Sequence, residues 1–183
     1  MEFSRMYMKD LSDTQLADFW RRMLESGRDE ATFYDAPRMA PGEFVRWVRA
    51  SGVHLWLIQF RGETVGMFWL SDQAGRTAKC HFAMLPQSGR RTAGRLSVQQ
   101  GFGLYALASV LHARDASGRH VLDRCYGITP LANRKAVRFI RRVGAQDITV
   151  LPGVCWDHAS GENLDGLLTM YTRATVPAAG AQL

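Results

Sequence analysis

The amino-acid sequence predicts an α+β fold, with a mixed sheet of about six to seven strands and about four helices. Residues 53–85 contain three runs rich in β-branched and aromatic residues, separated by short turns, which is typical of an antiparallel meander. Apolar residues recur at helical spacing before the meander, in residues 10–27 and 41–50, and after it, in residues 97–114 and 133–143. The later helices alternate with strands, so the sequence predicts a meander joined to a βαβ-like half.

The boundaries of these elements are marked by residues with known effects on the backbone. Ser12 and Asp13 are capping residues, Gly27 ends the first helix, and Pro41 opens the second. Gly101 and Gly103 each cost about 1 kcal/mol relative to alanine early in the third helix, so we expect a close approach there. The predicted elements are, in order, strand Phe3–Met8, helices Asp10–Gly27 and Pro41–Ala50, strands Val53–Phe60, Thr64–Leu70 and Thr77–Leu85, helix Ser97–Arg114, strand Val121–Ile128, helix Asn133–Val143, and strands Ile148–Leu151 and Leu167–Thr172.

Length and composition indicate one globular domain. The chain has 183 residues, of which 46% are hydrophobic and 22% charged, close to the globular average. No apolar run approaches the ~18–20 residues of a membrane helix, and the first residues lack the pattern of a secretory signal. We therefore expect a cytoplasmic protein with one domain over residues 1–175 and a flexible tail over residues 176–183.

Cysteine and charge patterns exclude some classes of site. The three cysteines, Cys80, Cys125 and Cys155, are far apart and form no Cys-x-x-Cys pair, so we expect neither a disulfide framework nor a metal site. The net charge is +6, and most of the 23 basic residues are arginine, which binds phosphate and carboxylate well. Because no helix-turn-helix, zinc-finger or aromatic-sheet pattern accompanies this charge, nucleic acid is an unlikely partner.

Two segments are candidates for an anion site. The loop of residues 87–95 contains glycine and arginine and lies between a strand and a helix, where backbone N–H groups can converge on a phosphate. An ordinary solvent-exposed loop fits the same residues. The helix of residues 133–143 places its basic residues on one side. That side is either a solvated face or the border of a phosphate-bearing cofactor, and its residues are Arg134, Lys135, Arg138, Arg141 and Arg142.

Three stretches of the chain carry a resemblance to a known family. Residues 82–86 (Phe-Ala-Met-Leu-Pro), 91–95 (Arg-Thr-Ala-Gly-Arg) and 129–145, which contain an Asn-x-x-Ala helix, resemble the GNAT-type N-acetyltransferase superfamily over about residues 6–173. The run Gly-Ile-Thr-Pro-x-x-Asn-Arg-x-Ala (residues 127–136) further resembles phage- and prophage-encoded members.

This resemblance implies an acetyl-CoA-dependent N-acyltransferase that moves an acetyl group to a small-molecule or protein amine, with a homodimer possible. Acetyl-CoA would be the co-substrate, and no metal would take part. The acceptor would lie in a cleft lined by the first two helices and the final strands. The residues that the resemblance assigns to cofactor binding are Phe82, Ala83, Met84, Arg90, Arg91, Thr92, Ala93, Gly94 and Asn133.

The chain also departs from the pattern of the superfamily. The pyrophosphate motif ends in Gly94-Arg95-Leu96, without the final small residue. Ile140 stands where members usually carry a tyrosine that can protonate the departing thiolate. A catalytically inactive member, acting as an interaction or phage-assembly module, is therefore the alternative.

Three side chains are candidates for acid–base chemistry. His81 could act as the general base that takes a proton from the acceptor amine, because a neutral imidazole has a suitable pKa. Tyr126 and Tyr171 could each replace the missing tyrosine as proton donor. The alternatives without a catalytic role are a histidine hydrogen-bonded within the sheet and two half-buried tyrosines.

Overall fold

The computed structural model describes residues 2–50, 52–86, 96–178 and 180. Within them the α+β prediction is confirmed. No described helix is long and apolar enough to cross a membrane. The elements are β1 (Phe3–Tyr7), a 3-10 turn (Met8–Asp10), α1 (Asp13–Glu25), α2 (Asp29–Thr32), α3 (Pro41–Arg49), β2 (His54–Phe60), β3 (Glu63–Ala74), β4 (Thr77–Met84), α4 (Val98–Leu111), β5 (Arg124–Pro130), α5 (Arg134–Arg142), β6 (Gln146–Asp157) and β7 (Glu162–Thr172).

The described strands form one seven-stranded sheet in the order β1-β2-β3-β4-β5-β7-β6. All neighbours are antiparallel except β4 and β5, which run parallel. Their pairing is short, and joins residues 77–79 to residues 124–126. Beyond it, β4 stays paired with β3 as far as Met84, and β5 stays paired with β7 as far as Pro130. The two halves of the sheet therefore part at its centre.

Each face of the sheet packs against its own helices because side chains alternate along a strand. Cys80 and Phe82 of β4 contribute to a core with α4 and α5, which includes Phe102. Ala83 and Leu85 contribute to a second core with α1 and α3. The period-2 pattern that predicts the meander thus separates two apolar layers.

The helix starts follow the predicted capping residues. The Ser12 hydroxyl accepts from the Gln15 N–H at 3.2 Å, and the Gln15 side chain accepts from the Ser12 N–H at 2.8 Å. A second reciprocal pair, Ser97 and Gln100, opens α4. Gly27 follows the end of α1 with a φ of +61°, a conformation that favours glycine.

The final hairpin is longer than the sequence predicts. We expected strands over residues 148–151 and 167–172, whereas β6 covers Gln146–Asp157 and β7 covers Glu162–Thr172. β6 is an edge strand and is almost wholly exposed, so its fold does not require apolar and polar residues to alternate along it. The short helix α2 was also missed, because its four residues are too few to show a period.

The chain stays packed beyond the predicted end of the domain. Val176 is fully buried, and its carbonyl oxygen lies 2.8 Å from His112 Nε2. Gly144 explains part of this docking, because a Cβ there would lie 2.5 Å from the Thr175 carbonyl oxygen. The first residue of the predicted tail is therefore part of the core.

The predicted close approach at Gly103 lies between α4 and α5. A Cβ at this position would lie 2.7 Å from Val143 Cγ1 and 2.8 Å from Phe139 Cζ. Such distances are far inside van der Waals contact. The absence of a side chain at Gly103 thus sets how closely α5 can lie on α4.

Replacing Gly103 by alanine is expected to destabilise the protein. The helix gains about 1 kcal/mol of propensity, but overpacking costs about 1–3 kcal/mol, so the free energy of unfolding should fall. Gly42→Ala is the matched control, because Gly42 is also helical and an added Cβ would have only Arg46 Nη1 near it, at 3.9 Å. Urea denaturation should show a higher free energy of unfolding for Gly42→Ala and a lower one for Gly103→Ala. Equal gains would contradict the packing described for α4 and α5.

Candidate active site

A cleft of about 770 Å³ opens where β4 and β5 part. Its lining includes residues 80–84 of β4, Leu85 directly after that strand, and residues 127–130 of β5. Gly127 lies at the point of divergence, where a Cβ would be 3.5 Å from the Cys80 carbonyl oxygen. From Cys80 onward, the β4 edge that faces β5 has no strand partner among the described residues. Backbone groups of β4 are therefore available to a ligand.

The helix α5 forms one wall of this cleft. Asn133 caps the helix, because its Oδ1 accepts from the Ala136 N–H at 3.0 Å. Phe139 contacts Phe82 of β4 edge to face, with ring centroids 5.4 Å apart. Asn133, Ala136 and Ile140 all line the cleft. The motif that carries the family resemblance is thus brought to the parting strands.

The charge of the cleft is of one sign over its described lining. Four cationic side chains and no carboxylate contribute to it. The four are Arg28, Lys135, Arg138 and Arg142. None of them forms an ion pair with a described carboxylate. On the same helix, Arg141 is paired with Asp147 outside the cleft, at 2.5 Å.

His81 lies in the cleft with its ring stacked on Trp69, at a centroid distance of 4.6 Å. Its Nε2 atom lies 3.0 Å from Ser71 Oγ. Burial, with a smaller contribution from the positive charge of Lys79, lowers the pKa of His81 to about 4. The imidazole is therefore neutral at pH 7 and can accept a hydrogen bond.

Tyr171 approaches the cleft from β7. The residue is 1% exposed and lines the cleft, but its hydroxyl has no hydrogen-bond partner of good geometry among the described residues. Burial, together with the nearby thiols of Cys80 and Cys125, raises the pKa of Tyr171 well above its ordinary value. Ile140 also lines the cleft, so the position of the missing tyrosine and this unpartnered phenol border the same space.

Tyr126 is not among the residues that line the cleft. It lies on β5 one residue before Gly127 and pairs with Lys79 and Met170. Burial raises its pKa, with the negative charge of Asp72 as a further cause. Of the three candidate acid–base residues, the structure brings His81 and Tyr171 to the cleft.

The predicted cofactor residues divide into two groups. Phe82, Ala83, Met84 and Asn133 line the cleft. The residues predicted to form the pyrophosphate loop lie outside the described part of the chain. They are Arg90, Arg91, Thr92, Ala93 and Gly94.

Sequence reasoning missed one aromatic residue of the cleft, Trp69, and one buried hydroxyl, Thr169. Tyr34, Trp69 and Thr169 line the cleft. Tyr34 comes from the segment after α2, and its hydroxyl lies 3.7 Å from Cys155 Sγ on β6. No local pattern identifies Trp69 and Thr169 as cleft residues, because their position at the cleft depends on how β3 and β7 are arranged in the sheet. Among the described residues, no group of three His, Cys, Asp or Glu side chains could hold a metal ion.

The depressed pKa of His81 predicts a pH-dependent loss of stability. In the unfolded state His81 takes up a proton as the pH falls below its ordinary pKa of 6.5. In the folded state it stays neutral down to its lowered pKa of about 4. Across that window the free energy of unfolding should fall by up to about 1.4 kcal/mol per pH unit on this account. His81→Gln removes this contribution and leaves the other titrating groups in place. Urea denaturation at several pH values should therefore give a shallower acid slope for the variant, and identical slopes would contradict the burial of a neutral imidazole.

Comparison with solved structures shows what this arrangement resembles. The chain matches the acetyltransferase that modifies the N-terminal serine of the 50S ribosomal subunit protein L7/L12, from Salmonella typhimurium, with a TM-score of 0.71 and 11% identity over 94% of this chain and 95% of that one. It matches the spermidine N-acetyltransferase of Vibrio cholerae, in complex with CoA and spermine, with a TM-score of 0.67 and 14% identity over 96% and 98% of the two chains.

A third match is yncA, a putative acetyltransferase from Salmonella typhimurium with its cofactor acetyl-CoA, with a TM-score of 0.63 and 13% identity over 94% of each chain. Neither a family model nor a curated protein sequence matches the chain. Identities this low establish the architecture alone. The chain thus has the fold of the GNAT acetyltransferases over nearly its whole length.

Proposed function

We propose that the protein is an acetyl-CoA-dependent N-acyltransferase, which moves an acetyl group to an amine acceptor. The observation that carries this proposal is the cleft between the parting strands β4 and β5, with cations and no carboxylate in its described lining. A cleft of this charge suits a ligand that carries several phosphates. The matched structures include one with acetyl-CoA and one with CoA, which supports the same ligand.

The described residues fit such a cofactor. Lys135, Arg138 and Arg142 of α5 would bind phosphate groups, and the predicted loop of residues 90–94 would add backbone N–H donors. The unpaired edge of β4 at residues 82–84 would bind the amide groups of the cofactor arm through backbone hydrogen bonds. Asn133 fixes the start of α5 beside this edge, because its side chain is used in the cap.

Acetyl transfer to an amine requires little covalent chemistry from the protein. Acetyl-CoA supplies an acetyl group already activated as a thioester. The protein has to hold a neutral amine at the reacting carbon, exclude water and handle two protons. His81 is neutral at pH 7, so it would accept a hydrogen bond from the amine N–H and orient the lone pair. Its low pKa makes it a weak base, so the N–H proton that the amine loses on attack would pass by way of His81 to solvent.

Tyr171 would supply the proton that the sulfur takes up. Its raised pKa keeps the hydroxyl protonated wherever an amine acceptor is neutral. Its O–H makes no hydrogen bond of good geometry with a described residue, and Thr169 is the polar side chain beside it, so the O–H would turn from Thr169 to donate to the sulfur. This assignment replaces the tyrosine that the superfamily usually carries at the position of Ile140. The matched structures include a spermidine N-acetyltransferase and an acetyltransferase that modifies the N-terminal serine of a ribosomal protein, which supports an amine acceptor of either kind.

Acetyl-CoA should raise the melting temperature, and this effect should depend on Arg138. A ligand at about 100 times its Kd adds about 2.7 kcal/mol, which shifts a domain of this size by several degrees. Arg138→Gln should weaken binding about tenfold, since it removes one charge-assisted contact. Arg134→Gln is the matched control, because Arg134 lies on the same helix but not in the cleft. Thermal shift and calorimetry measure both.

No shift with acetyl-CoA or CoA at millimolar concentration would overturn the proposal. The protein would then be a GNAT-shaped interaction module, as the alternative from the sequence states. Equal weakening by Arg134→Gln and Arg138→Gln would locate the phosphates elsewhere.

Tyr171→Phe should lower kcat about 10²-fold while leaving the KM for acetyl-CoA nearly unchanged. Only the hydroxyl is removed, and it makes no hydrogen bond of good geometry with a described residue, although Thr169 lies beside it, so the melting temperature should change little. Tyr126→Phe is the matched control outside the cleft and should leave kcat unchanged. Thioester turnover, followed by release of the free thiol, separates the two variants. A normal kcat for Tyr171→Phe would rule out this proton donor.

A further inference from the structure

A diagonal pair of polar side chains links β3 and β4 beside the cleft. Trp69 lies directly opposite His81 in the antiparallel register, and Ser71 is two residues further along β3. Side chains alternate along a strand, so Ser71 and Trp69 share the face of the sheet on which His81 lies. Ser71 Oγ is 3.0 Å from His81 Nε2. The two strands thus place a hydroxyl against one nitrogen of the imidazole ring.

Asp72 extends this pair toward the surface of the protein. Ser71 Oγ donates to Asp72 Oδ2 over a long distance of 3.4 Å. Asp72 is exposed, and the register between β3 and β4 breaks directly after Ser71. The φ of Asp72 is +49°, a conformation that aspartate and asparagine adopt more readily than other non-glycine residues. The irregular backbone at this point therefore keeps the carboxylate beside the hydroxyl.

The hydroxyl of Ser71 has a single hydrogen, which fixes the direction of both contacts. A carboxylate is a stronger acceptor than a neutral imidazole, so the hydrogen belongs to the contact with Asp72. Ser71 Oγ then accepts from the ring, and His81 Nε2 carries the ring proton. The other nitrogen, Nδ1, has no hydrogen-bond partner among the described residues and is not fully buried. Nδ1 is therefore the ring atom that can take up a proton.

The orientation of the ring depends on this hydrogen bond. The imidazole is stacked on Trp69 at a centroid distance of 4.6 Å and an interplanar angle of 3°. Rotation of the ring by half a turn would keep the stacking, but it would separate Nε2 from Ser71. Stacking thus sets the plane of the ring, and Ser71 sets which nitrogen lies on which side.

Two charged groups act on His81 in addition to burial. Burial lowers the pKa of His81 most, the positive charge of Lys79 on the same strand lowers it further, and the negative charge of Asp72 raises it. Arg28 and Tyr34, which precede and follow α2, line the same cleft. Of the groups that act on the imidazole, Asp72 is therefore the one that favours its protonated form.

We infer that Ser71 and Asp72 are positioning residues for the acyl transfer, and that they present His81 Nδ1 to the acceptor amine. This inference rests on the proposed function. As the amine nitrogen bonds to the carbonyl carbon of the thioester, its N–H bond breaks and an N–H bond forms at Nδ1. The carboxylate of Asp72 stabilises the resulting imidazolium through Ser71, and Nδ1 then releases the proton to water. The C–S bond breaks with its electron pair on the sulfur, which receives a proton from Tyr171.

NMR of the histidine ring nitrogens, on the protein without acetyl-CoA, tests the hydrogen bond itself. The signals of His81 are identified by their loss in His81→Gln. At pH 7 we expect an unprotonated Nδ1 and a proton on Nε2 that exchanges slowly with water. Ser71→Ala should abolish the slow exchange, whereas Ser71→Thr keeps the hydroxyl and should retain it. Ser4→Ala is the matched control, because it removes a strand hydroxyl that bonds to Gln59 outside the cleft.

Acetyl-transfer kinetics test the role in the reaction. Ser71→Ala and Asp72→Asn should each lower kcat about tenfold or more and leave the KM for acetyl-CoA nearly unchanged, an effect of the size seen for partners that orient a histidine. Ser71→Thr should keep most of kcat. Asp72→Asn should also move the protonation of His81, followed by NMR, to lower pH, because it removes the negative charge that favours the imidazolium. Asp72 is exposed, so this variant preserves the test if Ser71→Ala does not fold.

A proton on Nδ1 in the unmodified protein would overturn the inference. So would a normal kcat in folded Ser71→Ala or in Asp72→Asn, and in that case the acyltransferase itself would stand. Absence of transfer by the unmodified protein would instead remove the proposed function, and the inference with it.

Discussion

The separation of β4 from β5 is the constraint on which the rest of the structure depends. Each strand keeps its outer neighbour, β3 or β7, to its end, while the pairing between them stops at Lys79 and Tyr126. The break exposes backbone groups that a continuous sheet would satisfy internally. It also opens a space between the two halves of the core, and α5 and the segment around α2 border that space.

Ion pairs between arginines and carboxylates are found outside the cleft but not among the described residues that line it. Away from the cleft, several arginines are paired with carboxylates, as in Arg49 with Asp13 and Arg173 with Asp123. The cleft instead gathers cations that lack described carboxylate partners. Unpaired like charges repel one another, so this arrangement does not stabilise the fold, and it suits the anionic cofactor proposed above.

The sequence predicts the elements with the strongest periodicity best. The meander and α4 have many buried residues, and α5 carries apolar residues on one side and basic residues on the other, so each leaves a strong pattern in the sequence. The edge strand β6 is nearly all exposed, so its pattern is weak and its length was underestimated. Val176 was assigned to a tail because small residues follow it, but it packs in the core beneath Gly144.

The sequence by itself determined the α+β class, the two-layer core, the capped helices and the basic side of α5. These features depend on residues close together in the chain, whose spacing records which face is buried. Only the tertiary structure decided that Tyr171 reaches the cleft and that Tyr126 does not. These relations join residues far apart in sequence, and they depend on how two halves of a sheet diverge. No local pattern encodes such distances.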